Sequence, residues 1–198
     1  MTSETGAAPD PDDVAFYDAQ AARAIGGPRP LSGPVEIHEY DSMWPVLYAR
    51  EAEQIRGALG DRVVRLEHVG STSVPGLAAK PVVDIALEVP DTRDEDAYVA
   101  DLEAAGYTLR IREPEWFEHR LLKRTQPPVN LHVFSAGCEE TDKMLLFRDW
   151  VRSNAEDRDL YLRTKRALAA RRWKYVQQYA DSKTAVVDEI LARASAGR

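Results

Sequence analysis

Apolar and polar residues follow strand and helix periods in turn along this chain. Val35 to Tyr40 alternates apolar with polar residues and Pro81 to Val89 is a nearly continuous apolar run, so both segments predict strands. Helical spacing predicts helices from Met43 to Leu59 and from Asp94 to Ala105, each ended by a glycine. Further strands are predicted at residues 63–69, 107–112, 117–124 and 129–134, and further helices at residues 139–152, 156–172 and 181–195. This order predicts an α+β domain whose C-terminal part is helical.

Residues 1–34 differ from the rest of the chain because prolines and glycines stand at both ends of the segment. Between them, Asp12 to Ile25 is rich in alanine and begins with acidic residues, which predicts a short helix. The sequence GGPRPLSGP then ends this helix. We interpret residues 1–34 as a partly flexible N-terminal extension and residues 35–198 as the main domain.

The composition is that of a globular protein, with 44% hydrophobic and 30% charged residues over a length of 198. No apolar run approaches the roughly 18 residues that a membrane span needs. The N-terminus has neither the basic start nor the apolar run of a signal peptide. Cys138 is the only cysteine, so the chain cannot form an internal disulfide, and a reducing compartment fits. We therefore expect a cytoplasmic protein without a membrane partner.

The net charge is −7, from 26 basic and 33 acidic residues. Non-specific affinity for nucleic acid comes mostly from phosphate neutralisation, so this charge argues against a nucleic-acid partner. One segment is an exception, since Arg158 to Lys174 has seven basic residues against Asp159 alone. Such a segment is usually a solvated helix face. It also permits a local pocket for one small polyanion.

A glycine followed by three hydroxyl residues comes directly after the second predicted strand: Gly70, Ser71, Thr72 and Ser73. Glycine lets the backbone approach a ligand closely, and hydroxyl and free N–H groups suit phosphate oxygens. Lys80 follows within reach of this loop as a point charge. The segment is not a Walker loop, because GxxxxGK[ST] is absent. A capped turn before a short helix is the alternative interpretation.

Asp84 stands between Val83 and Ile85 in an apolar predicted strand. A charged carboxylate there is unfavourable unless it is paired, protonated or bound to a metal. At the strand end, facing Gly70, Asp84 would be a natural magnesium ligand. A salt bridge or an edge position would explain it without a ligand.

A hydrophobic-Gly-Ser loop followed by an aspartate in an apolar strand resembles the signature of the nucleotidyltransferase superfamily. More specifically, Glu67 to Ile85 (EHVGSTSVPGLAAKPVVDI) resembles the GrpB family, also called UPF0157. The resemblance covers about residues 35 to 195. Other matching segments are Val35 to Ile55, His119 to Lys123, Asn130 to Phe134, Leu145 to Arg152, Tyr161 to Ala169 and Tyr179 to Lys183.

The resemblance implies a nucleotidyltransferase-like fold, in which a mixed β-sheet is flanked by helices and a C-terminal helical layer covers a cleft. It also implies that the Gly-Ser loop and a divalent ion, Mg or Mn, hold ATP or another nucleoside triphosphate. The expected function is then nucleotidyl transfer to a small-molecule acceptor, or its activation as in an adenylate-forming amide ligase. The alternative is a catalytically inactive nucleotide- or ligand-binding protein of the same fold.

The chain departs from the superfamily at the position of the second acid. Position i+2 from Asp84 is Ala86, and Glu88 lies about 13 Å along an extended strand, too far to share an ion easily. His132 stands where the superfamily places its third acid, and His68 lies near the loop. We expect Asp84, His132 and His68 to be catalytic, with Asp84 and His132 as metal ligands. The sequence allows two arrangements. One ion could be bound by Asp84 and the triphosphate, or a softer metal could be bound by all three side chains.

The C-terminal helices of the superfamily commonly contact the triphosphate, so the resemblance implies such contacts for Lys165 and Lys183. Arg120 and Lys123 on the central strands are expected to add to this nucleotide site. The expected partners are thus a nucleoside triphosphate and a small acceptor, and a homodimer is allowed.

Overall fold

A five-stranded mixed sheet forms the centre of the computed structural model, which describes residues 9–197. The strand order is β1-β2-β5-β4-β3. Strands β2 and β5 are parallel, whereas the other neighbouring pairs are antiparallel. The strands are β1 (Arg65–Val69), β2 (Val83–Val89), β3 (Thr108–Glu113), β4 (His119–Arg124) and β5 (Val129–Ser135).

Helices cover the two faces of the sheet differently. Helices α2 and α3 bury Ile55, Leu59 and Leu102 against an apolar sheet face that includes Ile85 and Leu131. The C-terminal helices α4, α5 and α7 form their own apolar cluster over the other side. The helices are α1 (Val14–Ala22), α2 (Met43–Leu59), α3 (Val99–Ala104), α4 (Glu139–Ser153), α5 (Ala155–Ala169), α6 (Val176–Asp181) and α7 (Thr184–Ala196). The predicted α+β class, with a mixed sheet flanked by helices and a C-terminal helical layer, is confirmed.

Strand alternation sorts polar residues onto the face opposite α2 and α3. Asp84 lies beside Asn130 on β5, and Asn130 lies beside Lys123 on β4. Ala86 lies beside His132 in the same way. Because side chains two apart share a face, these polar groups all point toward the C-terminal helices.

Several predicted elements differ from the structure. The helix predicted from Asp94 to Ala105 is a 3-10 turn (Glu95–Ala97) followed by the short helix α3 (Val99–Ala104). Val35 to Tyr40 is not a strand, since only His38 bridges to Ala79, while Val35 packs against Trp173 and Tyr179. Its alternation therefore reflects burial against the C-terminal helices rather than sheet pairing. The helix predicted at 181–195 begins at Thr184, and residues 176–181 form the separate helix α6.

The described part of the N-terminal extension lies against the C-terminal region. Asp13 caps α1 by accepting a hydrogen bond from the N–H of Phe16 at 3.1 Å. Tyr17 is buried, and its hydroxyl donates to Asp181 at 2.9 Å. Leu31 N–H donates to the Lys174 carbonyl at 2.8 Å. Residues 1–8 of the predicted extension lie outside the described residues.

Within residues 9–197, no helix has the length and apolar character needed to cross a membrane.

Candidate functional site

A cleft of about 480 Å³ lies between the polar face of the sheet and helices α4 to α7. Its floor comes from the C-terminal end of β1, the start of β2 and the adjoining parts of β4 and β5, and its roof comes from the four helices. The predicted site residues that line it are Gly70, Ser71, Thr72, Lys80, Asp84, Lys123, His132, Lys165 and Lys183. The structure thus brings most of the predicted nucleotide site together.

The Gly70 backbone packs directly against the Asp84 side chain. The Gly70 backbone has φ 67° and ψ −173°, a region that is essentially restricted to glycine. A Cβ atom there would lie 2.5 Å from Asp84 Oδ2. Only glycine therefore lets the loop approach this carboxylate so closely.

The three hydroxyl residues after Gly70 have different surroundings. Thr72 Oγ1 lies 3.0 Å from His68 Nε2, and Ser73 Oγ donates to the Gly70 carbonyl at 2.6 Å. The Ser71 hydroxyl has no hydrogen-bond partner in the part of the chain that the structure describes. Thr72 and Ser73 hold the loop in shape, which leaves Ser71 as the hydroxyl that is free to meet a ligand.

Asp84 is held as an ionised carboxylate. Asn130 Nδ2 donates to its Oδ1 at 2.8 Å, and His132 Nε2 lies 3.9 Å from the same oxygen. Burial alone would raise the pKa of Asp84, but the neighbouring His132 side chain and the Asn130 amide lower it below its ordinary value. The Asp84 side chain is 28% exposed, so the cleft still reaches it.

Lysines outnumber acids around the cleft. Lys165 is the most buried, and its Nζ donates to the Ala78 carbonyl at 2.6 Å while lying 4.8 Å above the Tyr161 ring. Burial lowers its pKa to about 7, and burial also lowers the pKa of Lys80 and of Lys123. The lysines are Lys80, Lys123, Lys143, Lys165 and Lys183, and the acids are Asp84, Glu140 and Asp188. The cleft is therefore a local cationic site on a protein whose net charge is negative.

His68 and Arg120 do not line the cleft. His68 pairs with Ile85 in the β1–β2 register, so it faces the other side of the sheet, where it stacks on Tyr48 at 4.8 Å. Burial lowers its pKa to about 4. Arg120 also faces that side, and its Nε donates to Glu95 at 2.6 Å. This corrects their expected placement, since alternate side chains of a strand point to opposite faces.

The residues that face one another do not form a resident metal site. No group of three or more His, Cys, Asp or Glu side chains within residues 9–197 is arranged to hold a metal ion. The softer-metal arrangement of Asp84, His68 and His132 is not formed, because His68 is on the opposite face. Asp84 and His132 supply two donors, so an ion there needs further ligands from phosphate oxygens or water.

Several residues of the cleft, among them Asn130 and Glu140, were not among the predicted site residues. Asn130 stands two residues before His132 on β5, so strand periodicity places both on one face and could have identified it. Glu140 comes from the first turn of α4, and burial raises its pKa. Its sequence position has no signal that connects it to β2 or β5.

The comparisons with known proteins agree with this structure. The family sequence model described as GrpB protein matches residues 34–193. The chain belongs to the GrpB family. The UPF0157 protein BH1888 of Halalkalibacterium halodurans is 55% identical over 172 residues, which cover 87% of this chain and 88% of that protein. The UPF0157 protein SCO7215 of Streptomyces coelicolor is 44% identical over 181 residues, which cover 91% and 94%.

A solved structure of the GrpB family has the same fold. The crystal structure of the conserved protein GrpB from Enterococcus faecalis aligns with a TM-score of 0.71 and 27% identity. The alignment covers 80% of this chain and 96% of that one. The resemblance to GrpB that the motifs indicated is thus confirmed, and the names of these relatives state no reaction.

Proposed function

We propose that this GrpB family protein binds a nucleoside triphosphate, together with a divalent ion, and transfers its nucleotidyl group to a small-molecule acceptor. The observation that supports this best is the contact between Gly70 and the ionised Asp84 in a cleft rich in lysine. A metal–triphosphate complex requires a carboxylate to bind the ion and ammonium groups to neutralise the phosphates, and the cleft has both. The cleft volume of about 480 Å³ lies within the usual range for small-ligand sites.

Each group has a proposed part in binding. Asp84 contacts the ion that the triphosphate brings, because the protein alone supplies too few ligands to hold one. Lys183, on the roof of the cleft, and Lys80, beside the loop, neutralise phosphate oxygens. Lys165 remains bonded to the Ala78 carbonyl and supports the roof beside them.

The proposed transfer is a displacement at the α-phosphorus. An acceptor hydroxyl or carboxylate oxygen attacks, a new oxygen–phosphorus bond forms, and the bond to the β-phosphate oxygen breaks with release of pyrophosphate. Where the acceptor is a hydroxyl, its proton goes to His132 Nε2, which faces the cleft beside Asp84. Lysines then stabilise the charge on the departing pyrophosphate.

A catalytically inactive nucleotide-binding protein is the second candidate. The observation that favours it is Ala86, which stands beside His132 where an active nucleotidyltransferase would have its second acid. Glu88 does not replace that acid, because it lies outside the cleft and accepts a hydrogen bond from Gly137 N–H at 3.2 Å. Pyrophosphate release over a panel of acceptors separates the two candidates.

Calorimetry with ATP, with and without Mg²⁺, tests nucleotide binding. Wild type should bind ATP at least about tenfold more tightly with Mg²⁺, a difference of ~1.4 kcal/mol. Asp84→Asn should abolish this metal dependence, since the carboxylate that meets the ion is gone. Asp61→Asn removes an exposed carboxylate on the turn after α2, outside the cleft, and should behave like wild type.

Two results would overturn the proposal. One is a folded wild-type protein that binds none of the four common nucleoside triphosphates with Mg²⁺ or Mn²⁺. The other is an Asp84→Asn variant whose metal dependence equals that of wild type.

A further inference from the structure

A row of four side chains leads across the polar face of the sheet into the cleft. Glu113 Oε2 lies 2.7 Å from His119 Nδ1, and His119 Nε2 lies 3.1 Å from His132 Nδ1. His132 Nε2 then lies 3.9 Å from Asp84 Oδ1. The four residues come from the end of β3, the start of β4, the middle of β5 and the start of β2. We call Glu113, His119 and His132 the imidazole chain.

The middle of the imidazole chain is packed among aromatic rings and shielded from water. The His119 side chain is only 3% exposed and stacks on His132 with 5.2 Å between ring centroids. Trp116 meets it edge-on at 4.9 Å, and Phe134 lies at 4.8 Å. Because the His119 imidazole is buried among aromatic rings and removed from water, its neutral form is favoured. It therefore has one donor nitrogen and one acceptor nitrogen.

The direction of hydrogen bonding follows from the two ends of this chain. A carboxylate only accepts hydrogen bonds, so His119 Nδ1–H donates to Glu113. His119 Nε2 is then an acceptor, and His132 Nδ1–H must donate to it. This leaves His132 Nε2 without a proton, with its lone pair directed toward the cleft and Asp84. At 3.9 Å the Asp84 oxygen is too far for a direct hydrogen bond to that nitrogen.

We propose that Glu113 and His119 are positioning residues that fix His132 as the Nδ1–H tautomer, so that Nε2 accepts the proton of an acceptor hydroxyl. The proton-accepting step rests on the proposed function, whereas the tautomer does not. The proton leaves the hydroxyl oxygen as that oxygen bonds to the α-phosphorus, and pyrophosphate departs with the electrons of the broken bond. The imidazolium formed on His132 then lies between the His119 lone pair and the Asp84 carboxylate, which both stabilise it.

Nitrogen NMR of the full-length protein labelled with ¹⁵N-histidine tests the tautomer directly. At a fixed pH of about 8, where a free histidine is neutral, wild-type His132 should show a protonated Nδ1 and an unprotonated Nε2. Glu113→Gln should shift His132 toward the Nε2–H form, because a glutamine amide can donate as well as accept. Glu115→Gln changes an exposed acid in the same hairpin and should leave the spectrum unchanged.

The wild-type spectrum decides the question even if the variant does not fold. A His132 that is predominantly the Nε2–H tautomer in wild type would overturn the proposal, as would a folded Glu113→Gln variant with an unchanged tautomer. For turnover, Glu113→Gln should lower kcat about 10- to 100-fold while MgATP binding by calorimetry stays unchanged. An unchanged kcat overturns the positioning role, whereas a wild type that binds no nucleotide overturns the proposed function and leaves the tautomer result valid.

Discussion

Replacing Gly70 by alanine is the sharpest test of how the loop and the carboxylate are arranged. The Gly70 backbone occupies a region that is essentially restricted to glycine, at φ 67° and ψ −173°. The new methyl group would lie 2.5 Å from Asp84 Oδ2 and 3.0 Å from Asp84 Cβ. The loop must move away or the carboxylate must rotate, and either movement changes the floor of the cleft.

The expected loss of stability has two parts. Holding a residue with a Cβ in this backbone region costs about 1–3 kcal/mol. Rotating Asp84 breaks its hydrogen bond from Asn130 at 2.8 Å, which contributes about 1 kcal/mol in a partly exposed position. Gly70→Ala should therefore lower the free energy of unfolding by about 2–4 kcal/mol, and Tm by about 4–16 °C for a chain of this length.

Urea denaturation followed by circular dichroism measures the loss of stability, and calorimetry with MgATP measures the change in nucleotide affinity. Gly76→Ala is the matched control, because Gly76 also has a positive φ of 76° but a Cβ there meets no heavy atom within 4 Å. That variant should lose only about 1–2 kcal/mol of backbone strain and retain nucleotide affinity. Gly70→Ala should lose at least about tenfold in affinity, or ~1.4 kcal/mol.

Equal destabilisation by Gly70→Ala and Gly76→Ala would show that the contact with Asp84 has no energetic consequence. Equal loss of stability together with unchanged MgATP affinity in both variants would show that the loop neither depends on its contact with Asp84 nor belongs to a nucleotide site.

Three other variants test the burial of single groups. Burial lowers the pKa of Lys165 from 10.5 to about 7. Between pH 7 and pH 10.5 the unfolded chain therefore binds more protons than the folded protein, and the free energy of unfolding should rise with pH. Lys165→Met should lack this rise when unfolding is measured in urea. His68, with a pKa of about 4, should make wild type less stable as pH falls from 6.5 to 4, and His68→Gln should melt with a weaker pH dependence. Tyr17→Phe should lower stability by about 1 kcal/mol and speed hydrogen exchange in α6, where it loses the bond to Asp181.

Sequence periodicity correctly predicted those elements whose bounds are set by residues close to them in the chain. The helix from Met43 to Leu59 has the predicted bounds, because its apolar spacing and Gly60 act within a few residues. Alternation within β2 predicted that Asp84, Ala86 and Glu88 share one face. The motif resemblance also identified the loop at Gly70 and the late strand with His132.

The predictions that were wrong concerned residues whose contacts are with distant parts of the chain. Val35 to Tyr40 alternates like a strand, but its apolar residues find C-terminal helices instead of a neighbouring strand. His68 and Arg120 are polar residues on the correct strands, yet each faces away from the cleft. A period of two gives the relative direction of residues within one strand, but not which face a cleft will occupy.

The sequence by itself determined the α+β class, the GrpB family and the glycine that allows a close approach to Asp84. The tertiary structure decided which polar groups meet across strands. Its order β2-β5-β4-β3 brings Glu113, His119 and His132 into contact, although Glu113 and His132 are separated by a hairpin and a strand. That contact requires the register of neighbouring strands, which is fixed by packing of the whole sheet between two helical layers.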